Sequence, residues 1–294
     1  MRTNTVSAWL SLLRPKQWVK NAFVLAPLIF SAQGTNKAKL EDAGLAFLAF
    51  CLAASAVYAF NDVRDRLADQ SHPTKRFRPV AAGSISPVTA QSVALLLAVV
   101  GISLAWFVRP LVAAWISTYL LLNVAYSTKL KSVVLLDVFS IATFFVLRLL
   151  AGSAAVDVIP SIWLLVCGGL LSLYLGFAKR RHELTLLKGD AVAHRSVLAE
   201  YSIPLLDQIC AVLLAVTLVA YLMFTQTSET GRRVGGDAMG YSIVFVLYGV
   251  MRYTYLVHSG NRGEPTETVL EDRHLLITIT AWTAYSVWLI YRPH

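Results

Sequence analysis

The chain has 294 residues, of which 56% are hydrophobic and 15% are charged, and its formal net charge is +9. This composition is too apolar for a soluble globular protein and indicates a chain embedded in a bilayer. A membrane β-barrel would show alternating segments of about ten residues, and the sequence does not contain them. We therefore predict an all-α, multi-span membrane protein.

Nine apolar stretches are long enough to cross a membrane, which takes roughly 20 residues of helix. Span 1 is the weakest because Lys20 and Asn21 interrupt its start, and only a tight turn at Arg109 and Pro110 separates spans 3 and 4. In chain order, spans 1 to 9 are predicted at residues 18–34, 43–60, 88–108, 110–127, 133–152, 160–178, 204–224, 238–257 and 274–291.

The distribution of basic residues predicts the orientation of these spans. Of the 26 Lys and Arg residues, 18 lie on the side of the N-terminus, six lie on the opposite side and two lie within spans. By the positive-inside rule, the N-terminus is cytoplasmic and the C-terminus lies outside the cell membrane. Because basic loops suit anionic lipids, we expect membrane lipids and no nucleic acid as partners. The oligomeric state, including a homo-oligomer, stays open.

The entry to span 1 carries three cations around a tryptophan. Arg14, Lys16 and Lys20 are placed where the chain meets the lipid headgroups. This arrangement is typical of an interfacial anchor, and it is equally suited to binding the phosphate of a lipid substrate. Both interpretations stay open.

The strongest polar motif ends span 2 and contains Asn61, Asp62, Asp65 and Asp69. If the helix continues, the three aspartates lie at i, i+3 and i+7 and form one row of carboxylates. Such a row is tolerable when a divalent cation sits among the charges, and Mg²⁺ binds through carboxylates together with substrate phosphate oxygens. We predict a catalytic Mg²⁺ site made by the aspartates with Asn61. The alternative is a solvated helix end with salt bridges to nearby arginines.

A basic loop follows this motif directly. Pro73 and Pro79 break the helix and favour an extended loop, so that Lys75, Arg76 and Arg78 project beside the carboxylates. Arginine pairs bidentately with phosphate, and lysine acts as a mobile point charge. Carboxylates, metal and cations together predict a clamp for a diphosphate.

Spans 4 and 5 contribute further polar candidates. Tyr126 and Lys129 border the loop after span 4, and we predict that they contact substrate. Asp137 and Arg148 lie within span 5, 11 residues apart, and therefore on the same helix face. Charges within a membrane are costly and usually functional.

The segment before span 9 is rich in charge. It could close over substrate as a lid, or it could be a solvated loop. The residues concerned are Glu264, Glu267, Glu271, Asp272 and Arg273.

Two strings in the chain resemble a known family. The element N-D-x-x-D-x-x-x-D at residues 61–69 is similar to the first acidic motif of the UbiA superfamily of intramembrane prenyltransferases. The fuller string up to Gly83, with the residues from Arg14 to Asn21, resembles the branch that joins 5-phosphoribosyl 1-diphosphate to decaprenyl phosphate. This resemblance implies one UbiA-like domain over residues 1–294 and Mg²⁺-dependent transfer of phosphoribosyl to a polyprenyl phosphate. The product would serve arabinan synthesis for the cell wall.

The loop after span 6 departs from the superfamily pattern, which usually has a second aspartate-rich motif there. It contains Lys179, Arg180, Arg181 and His182, with Glu183 as the one carboxylate. Extra positive charge suits a site that holds two anionic reactants, a phosphorylated sugar and a lipid phosphate. We predict that Lys179, Arg180 and Glu183 bind substrate. Contact with anionic lipid is the alternative.

Two other functions remain compatible with the sequence. A UbiA-type prenyltransferase would share the fold and the first motif, and would move a prenyl group from prenyl diphosphate to an aromatic or quinone-precursor acceptor. A lipid-binding or transport protein would keep the basic face without catalysing a reaction.

Overall fold

The computed structural model describes residues 5–187, 196–259 and 265–292, and these residues form helices without any strand. Within these described ranges, eight helices are long and apolar enough to cross a membrane, so the predicted all-α, multi-span fold is confirmed. Glu264 and four of the counted cations, Arg2, Lys188, Arg195 and Arg262, lie outside the described residues. Spans 2 to 9 are the helices Lys37–Arg64, Pro87–Val108, Pro110–Thr128, Leu136–Val156, Ile162–Leu187, Ile203–Thr227, Ile243–His258 and Arg273–Tyr291.

Short helices connect these spans. They are the α-helices Thr5–Leu13, Arg66–Ser71, Glu229–Val234, Gly236–Gly240 and Pro265–Glu271, and the 3₁₀ helices Lys75–Phe77, Leu130–Ser132 and Ser196–Glu200. Several long helices begin at a polar residue whose side chain accepts hydrogen bonds from the first turn. Asn36, Ser86, Ser202 and Asp272 act in this way for spans 2, 3, 7 and 9.

Span 1 differs from the continuous helix that was predicted at 18–34. It consists of a 3₁₀ helix, Pro15–Leu25, and a short α-helix, Ala26–Phe30. With rises of about 2.0 and 1.5 Å per residue, the two together extend roughly 30 Å, the thickness of the hydrocarbon core. The Leu13 carbonyl accepts a hydrogen bond from Ser55, and the Phe30 carbonyl accepts one from Thr230. The segment therefore crosses the bundle as a broken ninth span.

Packing against span 5 explains the irregular course of span 1. A Cβ atom at Gly152 would lie 2.0 Å from the carbonyl oxygen of Val24, so the two backbones can touch only because residue 152 is glycine. One helical turn before Gly152 in span 5, the Arg148 Nε donates to Asn21 Oδ1 at 2.8 Å, and the Arg148 guanidinium lies over the ring of Tyr119. Arg148 thus holds span 1 to span 5, and it is not paired with Asp137.

Neighbouring spans run in opposite directions and bring alternate helix ends to one side of the bundle. The side that contains Asp62, which we call the Asp62 side, holds the ends of spans 2, 4, 6 and 8 and the starts of spans 3, 5, 7 and 9. Ion pairs link Asp65 to Lys131 and Asp207 to Arg181 on this side. Most of the polar residues singled out in the sequence are therefore gathered on the Asp62 side of the bundle, whereas Arg148 is buried within it.

Candidate functional site

Asp62 lies in the last turn of span 2 and is only 1% exposed. Its Oδ1 accepts from Arg14 Nη2 at 2.6 Å and lies 3.5 Å from Arg78 Nη1. Its Oδ2 is also buried and has no hydrogen-bond partner among the described residues. Because burying an unpaired carboxylate oxygen is costly, this atom is suited to receive a cation from a ligand.

The predicted single row of carboxylates is wrong in one respect, because the helix does not continue through the motif. Span 2 ends at Arg64, Asp65 makes the turn with φ −88° and ψ 6°, and a new short helix begins at Arg66. At this turn the Asp65 Oδ1 accepts from Lys131 Nζ at 3.1 Å. Asp69 is nonetheless brought back beside Asp62.

Arg78 joins these two aspartates. Its Nη1 donates to Asp69 Oδ2 at 2.7 Å while lying 3.5 Å from Asp62 Oδ1. The loop is not extended as predicted, because it contains turns and the 3₁₀ helix Lys75–Phe77, and only Arg78 among its cations has an extended backbone. It nevertheless returns Arg78 to the end of span 2. We refer to Arg14, Asp62, Asp69 and Arg78 together as the Asp62 cluster.

The other two cations of the basic loop are placed differently. Lys75 is half-buried, and its burial, followed by the nearby Arg78 guanidinium, lowers its pKa although Asp69, Asp65 and Glu183 act in the opposite direction. Lys75 therefore lies within the electrostatic reach of Asp65 and Asp69 on one side and of Glu183 on the other. Arg76 is exposed and stacks on the ring of Phe77, 4.9 Å from its centroid, rather than facing the carboxylates.

Arg14 reaches Asp62 from an unusual backbone conformation. It has φ 52° and ψ 57°, in the left-handed region, immediately before the 3₁₀ helix of span 1. Such a conformation in a non-glycine residue costs free energy and persists only where the surrounding contacts hold it. Its guanidinium also lies 5.1 Å from the centroid of the Tyr58 ring. Further along the 3₁₀ helix, Lys16 is exposed and Lys20 is half-buried.

A second group of charges, which we call the Asp137 network, contains Asp137, Arg180, Glu183 and Tyr201. Arg180 is 1% exposed, and its Nε donates to Asp137 Oδ2 at 2.8 Å while its Nη1 donates to Glu183 Oε2 at 2.7 Å. Tyr201 donates to Asp137 Oδ1 at 2.9 Å and accepts from the Leu135 amide at 2.7 Å. Both oxygens of Asp137 are therefore used within the protein.

Tyr201 is a residue that the sequence did not indicate. It lies just before span 7, where no motif surrounds it. Burial raises its pKa to about 12, so the hydroxyl stays protonated and can donate to Asp137. The remaining predicted residues have varied positions. Tyr126 lies close to Arg180, Lys179 is half-buried, Lys129 is exposed, and Asn61 Oδ1 accepts from Ser127 Oγ at 2.6 Å.

The arrangement can bind anions and cations together. In the part of the chain that the structure describes, no three acidic, histidine or cysteine side chains converge as metal ligands, because Arg14, Arg78 and Lys131 hold the aspartates. The unpartnered Asp62 Oδ2 and the hard oxygen donors of Asp65 and Asp69 nevertheless fit Mg²⁺, which prefers carboxylate and phosphate oxygens.

Known proteins resemble this chain over nearly all of its length. A sequence model of the UbiA prenyltransferase family matches residues 22–278. The chain is 34% identical over 289 residues to the decaprenyl-phosphate phosphoribosyltransferase of Mycolicibacterium smegmatis, covering 95% of this chain and 91% of that protein. It is 32% identical over 292 residues to the protein of the same name from Corynebacterium glutamicum, covering 98% and 88%. A solved UbiA homolog from Archaeoglobus fulgidus, bound to GPP and Mg²⁺, shares the fold with a TM-score of 0.75 at 19% identity, covering 97% of this chain and 100% of that one.

Proposed function

The chain belongs to the UbiA prenyltransferase family, and from this premise we propose that it is a pentosyltransferase. It transfers the 5-phosphoribosyl group of 5-phosphoribosyl 1-diphosphate to a polyprenyl phosphate, with decaprenyl phosphate as the acceptor, and releases diphosphate. The observation that carries this proposal is the 32% to 34% identity, over almost the whole chain, to proteins named for that activity. The product would be a precursor for cell-wall arabinan.

The charges of the site support two anionic reactants. Cations reach the aspartates at residues 62–69 from three segments of the chain, since Arg14 precedes span 1, Lys75 and Arg78 follow span 2, and Lys131 follows span 4. Such convergence offsets the repulsion between a sugar diphosphate and a lipid phosphate. In this proposal Arg78 and Lys75 bind the diphosphate, and Arg14 and Lys20 bind the acceptor phosphate where span 1 enters the membrane.

Asp62, Asp65 and Asp69 would hold Mg²⁺ in this site, and Asn61 would join them if its side-chain oxygen turned away from Ser127. When bound, the ion would supply Lewis-acid stabilisation of the charge on the departing diphosphate. Arg78 is placed to share that role, because its guanidinium pairs with Asp69 and lies beside Asp62.

The transfer exchanges one carbon–oxygen bond for another. The bond between C1 of the ribose and the diphosphate oxygen breaks, and the diphosphate leaves with the electron pair. An oxygen of the lipid phosphate attacks C1 from the opposite face and forms the new bond. Because this oxygen is already ionised, no general base is required, and the protein contributes positioning and electrostatic stabilisation.

The location follows from the charge distribution. We place the active site at the cytoplasmic face of the cell membrane, with residues 1–294 as one domain, the N-terminus inside and the C-terminus outside. A cysteine introduced at Lys75 should react with an impermeant thiol reagent only from the cytoplasmic side, and one at Arg232 only from outside. The reverse pattern would contradict this orientation.

The function is tested with purified protein in detergent. We expect radiolabel from the ribose of 5-phosphoribosyl 1-diphosphate to enter the organic phase when decaprenyl phosphate and Mg²⁺ are present. EDTA should abolish this transfer, and added Mg²⁺ should restore it. In parallel, the protein is given geranyl diphosphate with an aromatic acceptor. Turnover of the prenyl diphosphate, with none of the phosphoribosyl donor, would overturn the assignment and leave the fold intact.

A further inference from the structure

Spans 2, 3 and 4 enclose an apolar groove of about 520 Å³ on the Asp62 side of the bundle. Its floor is made by small residues, Ala56, Ala94 and Ala98, and its walls include Phe60 and Leu95. The volume falls within the range of about 300 to 1,000 Å³ that is usual for ligand pockets.

The groove opens sideways into the bilayer. Val88 and Leu95 on span 3 are 74% and 67% exposed, and Val124 on span 4 is 45% exposed. From Val88, the second residue of span 3, to Ala98 the groove extends about 15 Å into the membrane. Its depth and open side suit a flexible hydrocarbon chain that enters from the surrounding lipid.

This groove is separate from the Asp62 cluster. Phe60 and Asp62 are two residues apart in span 2, which corresponds to about 200° around the helix axis. The groove therefore lies behind span 2 as seen from the carboxylates. A chain bound there would not lead its headgroup to the reacting atoms, so the groove is not the acceptor site of the proposed reaction.

Two polar residues line the groove, and two basic residues lie beyond its lining, near the ends of spans 2 and 4. Gln91 and Ser92 face it from span 3. Arg64 follows Phe60 by one helical turn on the same face of span 2, and Lys129 follows the last residue of span 4. Both cations are exposed, and neither makes an ion pair with any other described residue.

We propose that this groove binds an anionic phospholipid from the leaflet on the Asp62 side. One acyl chain lies along the alanine floor, and the phosphate lies between Arg64 and Lys129. The pairing of an apolar slot with two cations at headgroup depth matches the two parts of such a lipid. A lipid bound there packs against span 2, the helix that carries Asp62 in its last turn. The inference goes beyond the proposed function and is independent of it.

Native mass spectrometry of the detergent-purified protein tests this without any turnover. The protein is incubated with phosphatidylglycerol or with phosphatidylcholine, and retained lipid is counted. We expect preferential retention of phosphatidylglycerol. Arg64→Gln should weaken it about fivefold, the effect of one surface cation on an anionic lipid. Arg273→Gln, which removes an exposed arginine at the start of span 9, is the matched control and should retain the lipid as the wild type does.

A second variant tests the apolar part of the site. Ala98→Phe places a ring in the groove and should lower retention of both lipids more than about tenfold, since displacing two or more methylene groups costs that much. Folding is checked by the melting temperature and by elution volume. Equal retention by wild type, Arg64→Gln and Ala98→Phe would overturn the proposal. So would retention of decaprenyl phosphate in preference to phosphatidylglycerol with the same sensitivity to Arg64→Gln.

Discussion

The Asp62 cluster and the Asp137 network both pair carboxylates with guanidinium groups, but they differ in access and in completeness. The side chains of Arg14 and Arg78 are 26% and 25% exposed, and one oxygen of Asp62 has no partner among the described residues. In the Asp137 network, the side chains of Arg180 and Asp137 are 2% and 0% exposed, and both oxygens of Asp137 accept hydrogen bonds.

This difference assigns the two groups different tasks. A group that must bind and release a charged ligand needs cations that can change partner and at least one unused oxygen, as in the Asp62 cluster. A buried pair whose hydrogen bonds are complete contributes a fixed geometry. We infer that Arg180 acts on substrate indirectly, by positioning Glu183 next to Lys75, and that direct contact with the diphosphate belongs to Arg78 and Lys75.

The largest expected effect comes from Asp62→Asn. The substitution keeps the shape of the side chain and removes the charge that a metal diphosphate needs, so kcat should fall by about two to three orders of magnitude, as for the loss of one preorganised electrostatic group. The assay is the transfer of ribose label to decaprenyl phosphate, and the melting temperature should stay near that of the wild type.

Asp207→Asn is the matched control for this variant. Asp207 is an aspartate on the same side of the membrane that pairs with Arg181 outside both groups. The Asp207→Asn variant should retain nearly the full kcat of the wild type. An equal loss in the two variants would mean that any change of charge on this face impairs the protein, and the special role of Asp62 would be refuted.

The next effect distinguishes the buried network. Arg180→Ala removes the guanidinium that pairs with the buried Asp137 carboxylate, which should destabilise the protein by about 3 kcal/mol or more. The double variant Asp137→Leu with Arg180→Met should recover most of that stability, because it leaves no fully buried charge, and the Glu183 side chain, which is 28% exposed, can be solvated. Thermal unfolding in detergent measures both. A wild-type melting temperature for Arg180→Ala would show that the network is not a scaffold.

The smallest effect concerns pH. Folding lowers the pKa of Lys75 from its ordinary value of 10.5, so the folded protein disfavours the charged form, and this penalty fades as pH rises through the lowered pKa. Binding of the diphosphate needs the charged form. As pH increases, the KM for 5-phosphoribosyl 1-diphosphate should therefore begin to rise at a lower pH than it would if Lys75 had an ordinary pKa. The total rise should be a few-fold. Lys75→Arg stays charged and should flatten that alkaline rise, whereas an unchanged KM profile would remove Lys75 from the site.

Much of the Asp62 cluster could be predicted from the sequence. The aspartate spacing and the two prolines of the following loop indicated that Asp62, Asp69 and Arg78 would meet, because these signals are local in the chain. The resemblance to the UbiA superfamily is confirmed by the family match and by the fold. The turn at Asp65 was missed because nothing in its neighbours distinguishes a helix that ends there from one that continues.

Other features depend on contacts between distant segments and could not be predicted from local patterns. The 3₁₀ form of span 1 depends on its close approach to Gly152 and on the bond from Arg148 to Asn21. Asp137 and Arg148 share a helix face, but each finds its partner on another span. Tyr201 is recognisable only once the fold places its hydroxyl beside Asp137.

The central claim is that the Asp62 cluster binds the sugar diphosphate together with Mg²⁺, while the Asp137 network only supports it. Equilibrium binding of labelled 5-phosphoribosyl 1-diphosphate, measured without acceptor lipid and with or without Mg²⁺, tests this directly. We predict binding that requires Mg²⁺, that is lost in Asp62→Asn, and that is retained in Tyr201→Phe at a melting temperature a few degrees lower. Binding that is indifferent to Mg²⁺, or that is lost equally in both variants, would contradict the account.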